Sequence, residues 1–214
     1  MGAEKESDPL LPKSPPTKCW DITTTCSHIE CPGYQVIHAG DGFEIRSYNS
    51  SVWMSTAPIQ DLSLVEATRN GFLLLFDYIQ GKNEYEKEIE MAGSVITEIS
   101  PSDGPLPSFT VRFYVPKENQ KNTPPTVGLH IQRVKPTYVA IRQFGGFVSD
   151  FNVGEEAVGL KSAALQVSIA DTVWSTAIEK NHGYVVAQYN SPFVFDNRVN
   201  EIWLLFDMEN GLAM

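Results

Sequence analysis

The chain has 214 residues, 42% hydrophobic and 20% charged, which is enough apolar content for one large domain with its own core. A formal charge of −10 and a pI near 4.8 exclude nucleic acid as the main partner, because a polyanion binder needs a basic field. No run approaches the roughly 18 apolar residues of a membrane span and the first residues lack the apolar core of a secretory signal, so the expectation is a soluble cytoplasmic protein, with the endomembrane system or vacuole as the alternative.

Residues 1–30 are expected to form a disordered tail, for they open with Pro9, Pro12, Pro15 and Pro16 and hold almost no large apolar groups besides Leu10 and Leu11. At the end of this tail stands "CSHIECPGY", in which Cys26 and Cys31 flank His28. Three readings stay open for the two cysteines: free or structural thiols, a disulfide in an oxidising compartment, or ligands. Cys31 and His28 are weak candidates for a metal, since no distant fourth group completes the set.

From Tyr34 the texture is globular. "YQVIHAGDGFEIRSYNSSVWMSTAP" gives two extended runs rich in β-branched and aromatic residues, broken at "GDG". A helix is predicted from Asp61 to about Gln80, closed by Gly81. Strands follow around "IEMAGSVITEIS" and "SFTVRFYVP", while "KENQKNTPPTV" reads as a loop. Glu84, Glu86, Glu88 and Glu90 alternate as on a solvent-facing strand edge. The second half repeats the order: "LHIQRVKPTYVAIRQFGGFVS", a helix from about Asn152 with Glu155 completing a capping box, then "YVVAQYNSPF" and "NEIWLLF". "EIRSY" in the first half is echoed by "AIRQF" in the second. Two ββαββ units, 34–116 and 127–207, are each too small to bury their sheets alone. The expected architecture is therefore α+β: a distorted eight-stranded barrel with two helices and approximate two-fold symmetry. Its domain spans 31–208 and is followed by a short tail, 209–214.

The first helix carries apolar residues around most of its circumference. Val65, Arg69, Phe72, Phe76 and Ile79 share one stripe, and Leu64, Gly71, Leu75 and Tyr78 share another about 100° away. Either the second face lines a ligand site, or the protein's own loops bury it. An arginine inside an apolar stripe calls for a partner. No nucleophile elbow, phosphate loop, dinucleotide fingerprint or zinc-protease motif occurs, so no enzyme is expected.

"GYQVIHAGDGFEIRSYNSSVWMST", "GFLLLFDYIQGKN", "EIEM", "FYVP", "RQFGGF" and "YNSPF…NRVNEIWL" resemble the SOUL/haem-binding protein family over about residues 30–207. The "ECPGY" and "PIQDLSLVEATRNGF" variants are most similar to its plant members. This resemblance implies the same two-repeat barrel. It also implies binding of haem or a related tetrapyrrole for transport, buffering or signalling, with the ligand not catalytic. The family's haem-contacting face lies on the first helix, where the matching positions are Arg69, Phe72 and Phe76; Val65 and Leu73 complete the implied site. Phe72 and Phe76 would lie against the macrocycle, and Arg69 would pair with a propionate. Where some members carry a proposed axial histidine this chain has Ser47, basic positions of some relatives are Asp77 and Val194, and the Met-Thr-Ala-Pro-Val box is "MAGSV", Met91–Val95. These departures imply binding by stacking and apolar burial without an obligatory axial histidine, tolerant of metal-free porphyrin. The alternatives are a small-molecule effector-binding domain indifferent to haem and a protein-interaction module whose partner is unknown.

Overall fold

The computed structural model describes residues 26–40, 42–100, 102, 104–157, 159, 183–190 and 194–206. Most of the expected N-terminal tail, the tail 209–214, His182 and much of the second expected helix lie outside the described residues.

The opening run makes three strands rather than two: β1 (Tyr34–Gly40), β2 (Phe43–Tyr48) and β3 (Ser51–Thr56). Gly42 takes a positive φ of 81° at the first turn, a conformation that a side chain would strain. Then follow β4 (Ile59–Gln60), α1 (Leu64–Ile79), β5 (Val95–Ser100), β6 (Ser108–Tyr114) and the four-residue α2 (Lys117–Gln120), which stands where a loop was expected. The second half supplies β7 (Leu129–Val134), β8 (Thr137–Gly145), α3 (150–157), β9 (Tyr184–Gln188) and β10 (Val199–Phe206).

Among the described residues these ten strands form one antiparallel sheet in the order β1-β2-β8-β10-β9-β5-β6-β3-β7, with β4 on β6. The outer strands β1 and β7 do not pair with each other, so the sheet curls into a half-barrel. The fold is α+β as expected. Outward from the β5–β9 seam lie β6, β3 and β7 on one side and β10, β8 and β2 on the other, with β1 added beyond β2. "EIRSY" and "AIRQF" are direct neighbours on the paired strands β2 and β8, with Ile45 opposite Ala140. Their echo therefore does not mark matching positions of the two halves. No helix among the described residues is long and apolar enough to cross a membrane.

Strand alternation sends side chains to two faces. One face carries the helices: Phe43, Ile45, Phe109, Val186 and Ile202 pack with Leu64, Ala67 and Val153. The cluster Met54, Leu75, Ile79, Val111 and Phe113 continues beneath the second half of α1. The helix sits low because residue 71 is glycine: a Cβ there would lie 2.4 Å from Val111 Cγ2.

The other face is filled by Tyr48, Trp53, Tyr114, Ile141, Tyr189 and Trp203. It is pinned by a buried ion pair in which Arg46 Nη1 lies 2.9 Å from Glu201 Oε1. Glu201 also accepts hydrogen bonds from the Tyr189 hydroxyl (2.8 Å), Trp203 Nε1 (2.7 Å) and Gln143 Nε2 (3.1 Å), which uses all the acceptor directions of a carboxylate. Arg46 Nε donates to Glu44 at 2.7 Å, and the guanidinium lies 4.2 Å from the centre of the Tyr34 ring. Burial alone would lower the Arg46 pKa, but the charge of Glu201 and the Tyr48 hydroxyl raise it above its ordinary value. Burial and then the Glu201 charge hold Tyr48 and Tyr189 protonated well above the usual tyrosine range.

Side-chain caps fix where the helices begin. α1 starts at Leu64 rather than Asp61 because Ser63 Oγ accepts from the Glu66 amide (3.3 Å) while the Asp61 carboxylate accepts from the Ser63 amide (3.0 Å). Asp150, at the start of α3, accepts from the Ser63 hydroxyl at 2.9 Å and from the Leu64 amide, tying the two helix starts together. In α3 the reciprocal pair is Ser149 with Asn152 rather than Asn152 with Glu155: the Ser149 amide donates to Asn152 Oδ1 (2.9 Å) and the Asn152 amide to Ser149 Oγ (3.2 Å). The helix accordingly begins earlier than expected. The glutamates at 84–90 do not form a strand edge. Buried Asn83 donates to the carbonyls of Tyr78 (3.0 Å) and Lys87 (2.7 Å) and folds this stretch into a turn, leaving all four carboxylates exposed.

Candidate functional site

Helix α1 buries Leu64, Ala67, Gly71, Leu75, Tyr78 and Ile79. In the stripe formed by Val65, Arg69, Phe72 and Phe76, Phe72 is half-buried and the other three are exposed, as is Leu73 beside it; only Ile79 of the expected stripe is buried. Val65 is 39% exposed, Phe76 40% and Leu73 54%, so no loop among the described residues buries this face.

Two contacts define its surface. The Phe72 and Phe76 rings stack with centroids 5.7 Å apart and planes 15° from parallel. Phe72 is half-buried and meets Phe113 of β6 edge-on, 5.4 Å between centroids. A residue of the sheet therefore anchors Phe72, and Phe76 extends the aromatic surface outward. Met91 and Val95, the ends of the "MAGSV" segment, pack on the same buried cluster as Phe72. Phe113 was not among the expected site residues. Its signal was present in the alternation of "SFTVRFY", which sends Phe109, Val111 and Phe113 to one face.

Arg69 is not enclosed by the apolar stripe. Its side chain is 71% exposed and Nη1 lies 3.8 Å from the Glu66 carboxylate. An exposed pair at this helical spacing contributes about 0.3–0.5 kcal/mol, so the guanidinium is readily transferred to another carboxylate. Ser47 is half-buried on β2. The described histidines lie elsewhere: His28 in the loop before β1, His38 exposed on β1 with its ring 5.8 Å from Phe43, and His130 exposed on β7.

Cys26 and Cys31 form a disulfide, with Cα atoms 5.6 Å apart. Cys31 thus has no thiolate to offer a metal while that bond lasts, which corrects its weak candidacy. Nor does any group of three or more His, Cys, Asp or Glu among the described residues stand close enough to hold an ion. His28 instead lines a cavity of about 360 Å³ together with Cys26, Glu30, Glu90, Met91 and Pro116.

The sequence profile of SOUL heme-binding proteins matches residues 29–205. Human heme-binding protein 2 is 31% identical over 185 residues, covering 83% of this chain and 86% of its own. Mouse heme-binding protein 2 is 31% identical over 168 residues, covering 76% and 77%. Among solved structures, SAV2435 bound to tetraphenylphosphonium aligns with a TM-score of 0.44 and 10% identity, over 77% of this chain and 93% of that one. The profile match, together with identity spread over most of two mammalian relatives, shows that the chain belongs to the SOUL heme-binding protein family.

Proposed function

We propose that this chain binds haem or a related tetrapyrrole on the outward stripe of α1. Phe72 and Phe76 lie against the macrocycle, Val65 and Leu73 flank it, and Arg69 exchanges Glu66 for a propionate. The observation that carries this reading is the stacked Phe72–Phe76 pair, anchored on Phe113 yet left open on its outer side. A porphyrin is a flat apolar disc with carboxylates at one edge, and this surface matches it with an aromatic platform beside one exchangeable cation. Ser47, at the position where some relatives carry a proposed axial histidine, supports binding without an obligatory axial histidine. Metal-free porphyrin then binds as haem does.

Family membership supports a carrier, buffer or signalling role rather than catalysis, and the mirrored strand order supports a two-repeat domain over 31–208. The likeness to plant members rests on "ECPGY" and "PIQDLSLVEATRNGF". The Cys26–Cys31 disulfide favours the endomembrane alternative over the cytoplasm.

Titration of the purified protein with haemin and, separately, with iron-free protoporphyrin tests the reading. A Soret shift with affinities within about threefold of each other is expected, and Phe76→Ala or Arg69→Ala weakens both by about tenfold, equal to about 1.4 kcal/mol. A six-coordinate haem spectrum lost on changing one histidine would sink the ligation-free reading. Unaltered affinity in both variants would remove the site from α1.

A further inference from the structure

The loop closed by the disulfide is docked on the segment that leads into β5, where Val95 lies opposite Phe113, the residue that Phe72 meets. A Cβ on Gly93 would lie 2.3 Å from Cys31 Sγ, so the bridge rests directly on the backbone at residue 93. The Gly93 amide donates to the Glu30 carbonyl at 2.6 Å. The Glu30 carboxylate accepts from the Lys117 amide (3.0 Å) and the Tyr114 hydroxyl (3.3 Å), fastening the loop to the end of β6 and the start of α2. Met91 lies on both sides of this arrangement: it lines the cavity next to Cys26 and packs on the cluster that supports Phe72.

We propose that Cys26–Cys31 is a redox site whose reduction releases segment 89–94 and, through Met91, loosens one side of the Phe72–Phe76 platform. The effect on ligand affinity rests on the tetrapyrrole reading, whereas the release of the segment does not. The cavity beside Cys26 gives a dithiol reductant access. Its thiolate attacks Cys26 Sγ, the Cys26–Cys31 bond breaks, and Cys31 leaves as a thiolate that takes up a proton. The second thiol of the reductant then attacks the mixed disulfide, freeing Cys26 as a thiol and leaving the reductant as its own disulfide. Two electrons pass from the dithiol to the protein. With the bridge open, residues 26–31 lose the closed loop that holds Glu30 over Gly93. The tetrapyrrole is then held more tightly where disulfides persist and released where thiols prevail.

The test compares the oxidised protein, the same protein reduced with dithiothreitol, the Cys26→Ser/Cys31→Ser variant, and oxidised Gly93→Ala. In Gly93→Ala the added methyl displaces the loop while the disulfide stays intact, so it separates loop docking from loss of the bond and stands in should the serine variant fail to fold. Amide exchange at Gly93, the Met91 methyl resonance and protoporphyrin affinity are read in each. Reduction is expected to speed Gly93 exchange by about tenfold, move the Met91 resonance and weaken protoporphyrin binding by about threefold, with Gly93→Ala giving the same changes. Unchanged exchange and an unmoved Met91 resonance on reduction overturn the proposal, and so does equal affinity in every form that binds. If both local signals change while no form binds protoporphyrin, the redox site stands and the tetrapyrrole reading falls.

Discussion

Phe72 and Phe76 stack on each other yet do different work for the fold. Phe72 is half-buried against Phe113, so Phe72→Ala costs about 1–3 kcal/mol of stability as well as ligand affinity. Phe76 is 40% exposed, and its loss changes stability by less than about 1 kcal/mol while removing half of the platform. Urea unfolding run beside protoporphyrin titration separates the two; equal destabilisation by both variants would mean that Phe76 is a core residue. Helical periodicity is enough to group Val65, Arg69, Phe72 and Phe76. It could not show that Arg69 stands in solvent paired with Glu66, because a helical wheel gives angle and not the depth at which the axis lies on its sheet. The cysteine pairing was equally illegible: a five-residue spacing permits a bridge, and the closing of it depends on the turn that the intervening residues make.

At the level of elements, the closeness of α1 to β6 depends on one missing methyl group. Gly71→Ala improves helix propensity by about 1 kcal/mol, yet its Cβ meets Val111 at the helix–sheet contact. Overpacking costs about 1–3 kcal/mol. The expected result is a net loss of stability with reduced protoporphyrin affinity, because a lifted helix draws Phe72 off Phe113. A more stable Gly71→Ala protein would show that the helix has room to shift. Local sequence foretold both helices but not their first residues. In "DLSLVEA" both Asp61 and Ser63 are able caps, and part of the outcome comes from Asp150, remote in the chain. The alternating glutamates of "NEYEKEIE" suggested a strand, but the Asn83 side chain satisfies the backbone that a neighbouring strand would have paired.

For the whole molecule, the Arg46–Glu201 pair joins β2 and β10 across β8. Arg46→Met strands a buried carboxylate and is expected to cost about 3–5 kcal/mol. Adding Glu201→Leu recovers only part of this loss, because Tyr189, Trp203 and Gln143 then lose their acceptor. Full recovery in a chemical denaturation series would show that those three bonds contribute nothing. The tyrosines set an alkaline limit. Burial raises the pKa values of Tyr48, Tyr78, Tyr114 and Tyr189, and for Tyr114 burial and the Glu30 charge push it up to about 12. The unfolded chain releases these protons near pH 10, about the ordinary tyrosine value, while the fold retains them. Stability is therefore fully present below about pH 10 and falls as pH rises from there towards the folded values. Urea midpoints at pH 8, 9.5 and 11 check this, and a midpoint at pH 11 equal to that at pH 8 would contradict it. The α+β fold class was legible in the sequence, whereas the third strand of the opening run was not. The pairing of β2 with β8 was not, because a strand's pattern tells which face is buried and not which distant strand lies beside it.

That crossing of β2 to β8, matched by β7 pairing with β3, has a consequence for the chain as it is made. β2 leaves the ribosome about a hundred residues ahead of the strand that pairs with it, as the register of Glu44 with Ile141 shows. At bacterial or eukaryotic elongation rates the interval is on the order of ten seconds. Throughout it the nascent first half carries an unsatisfied backbone edge and a guanidinium at Arg46 without its carboxylate. The protein acquires its sheet only when β8 and β10 arrive, and until then the early half is the species a chaperone would meet.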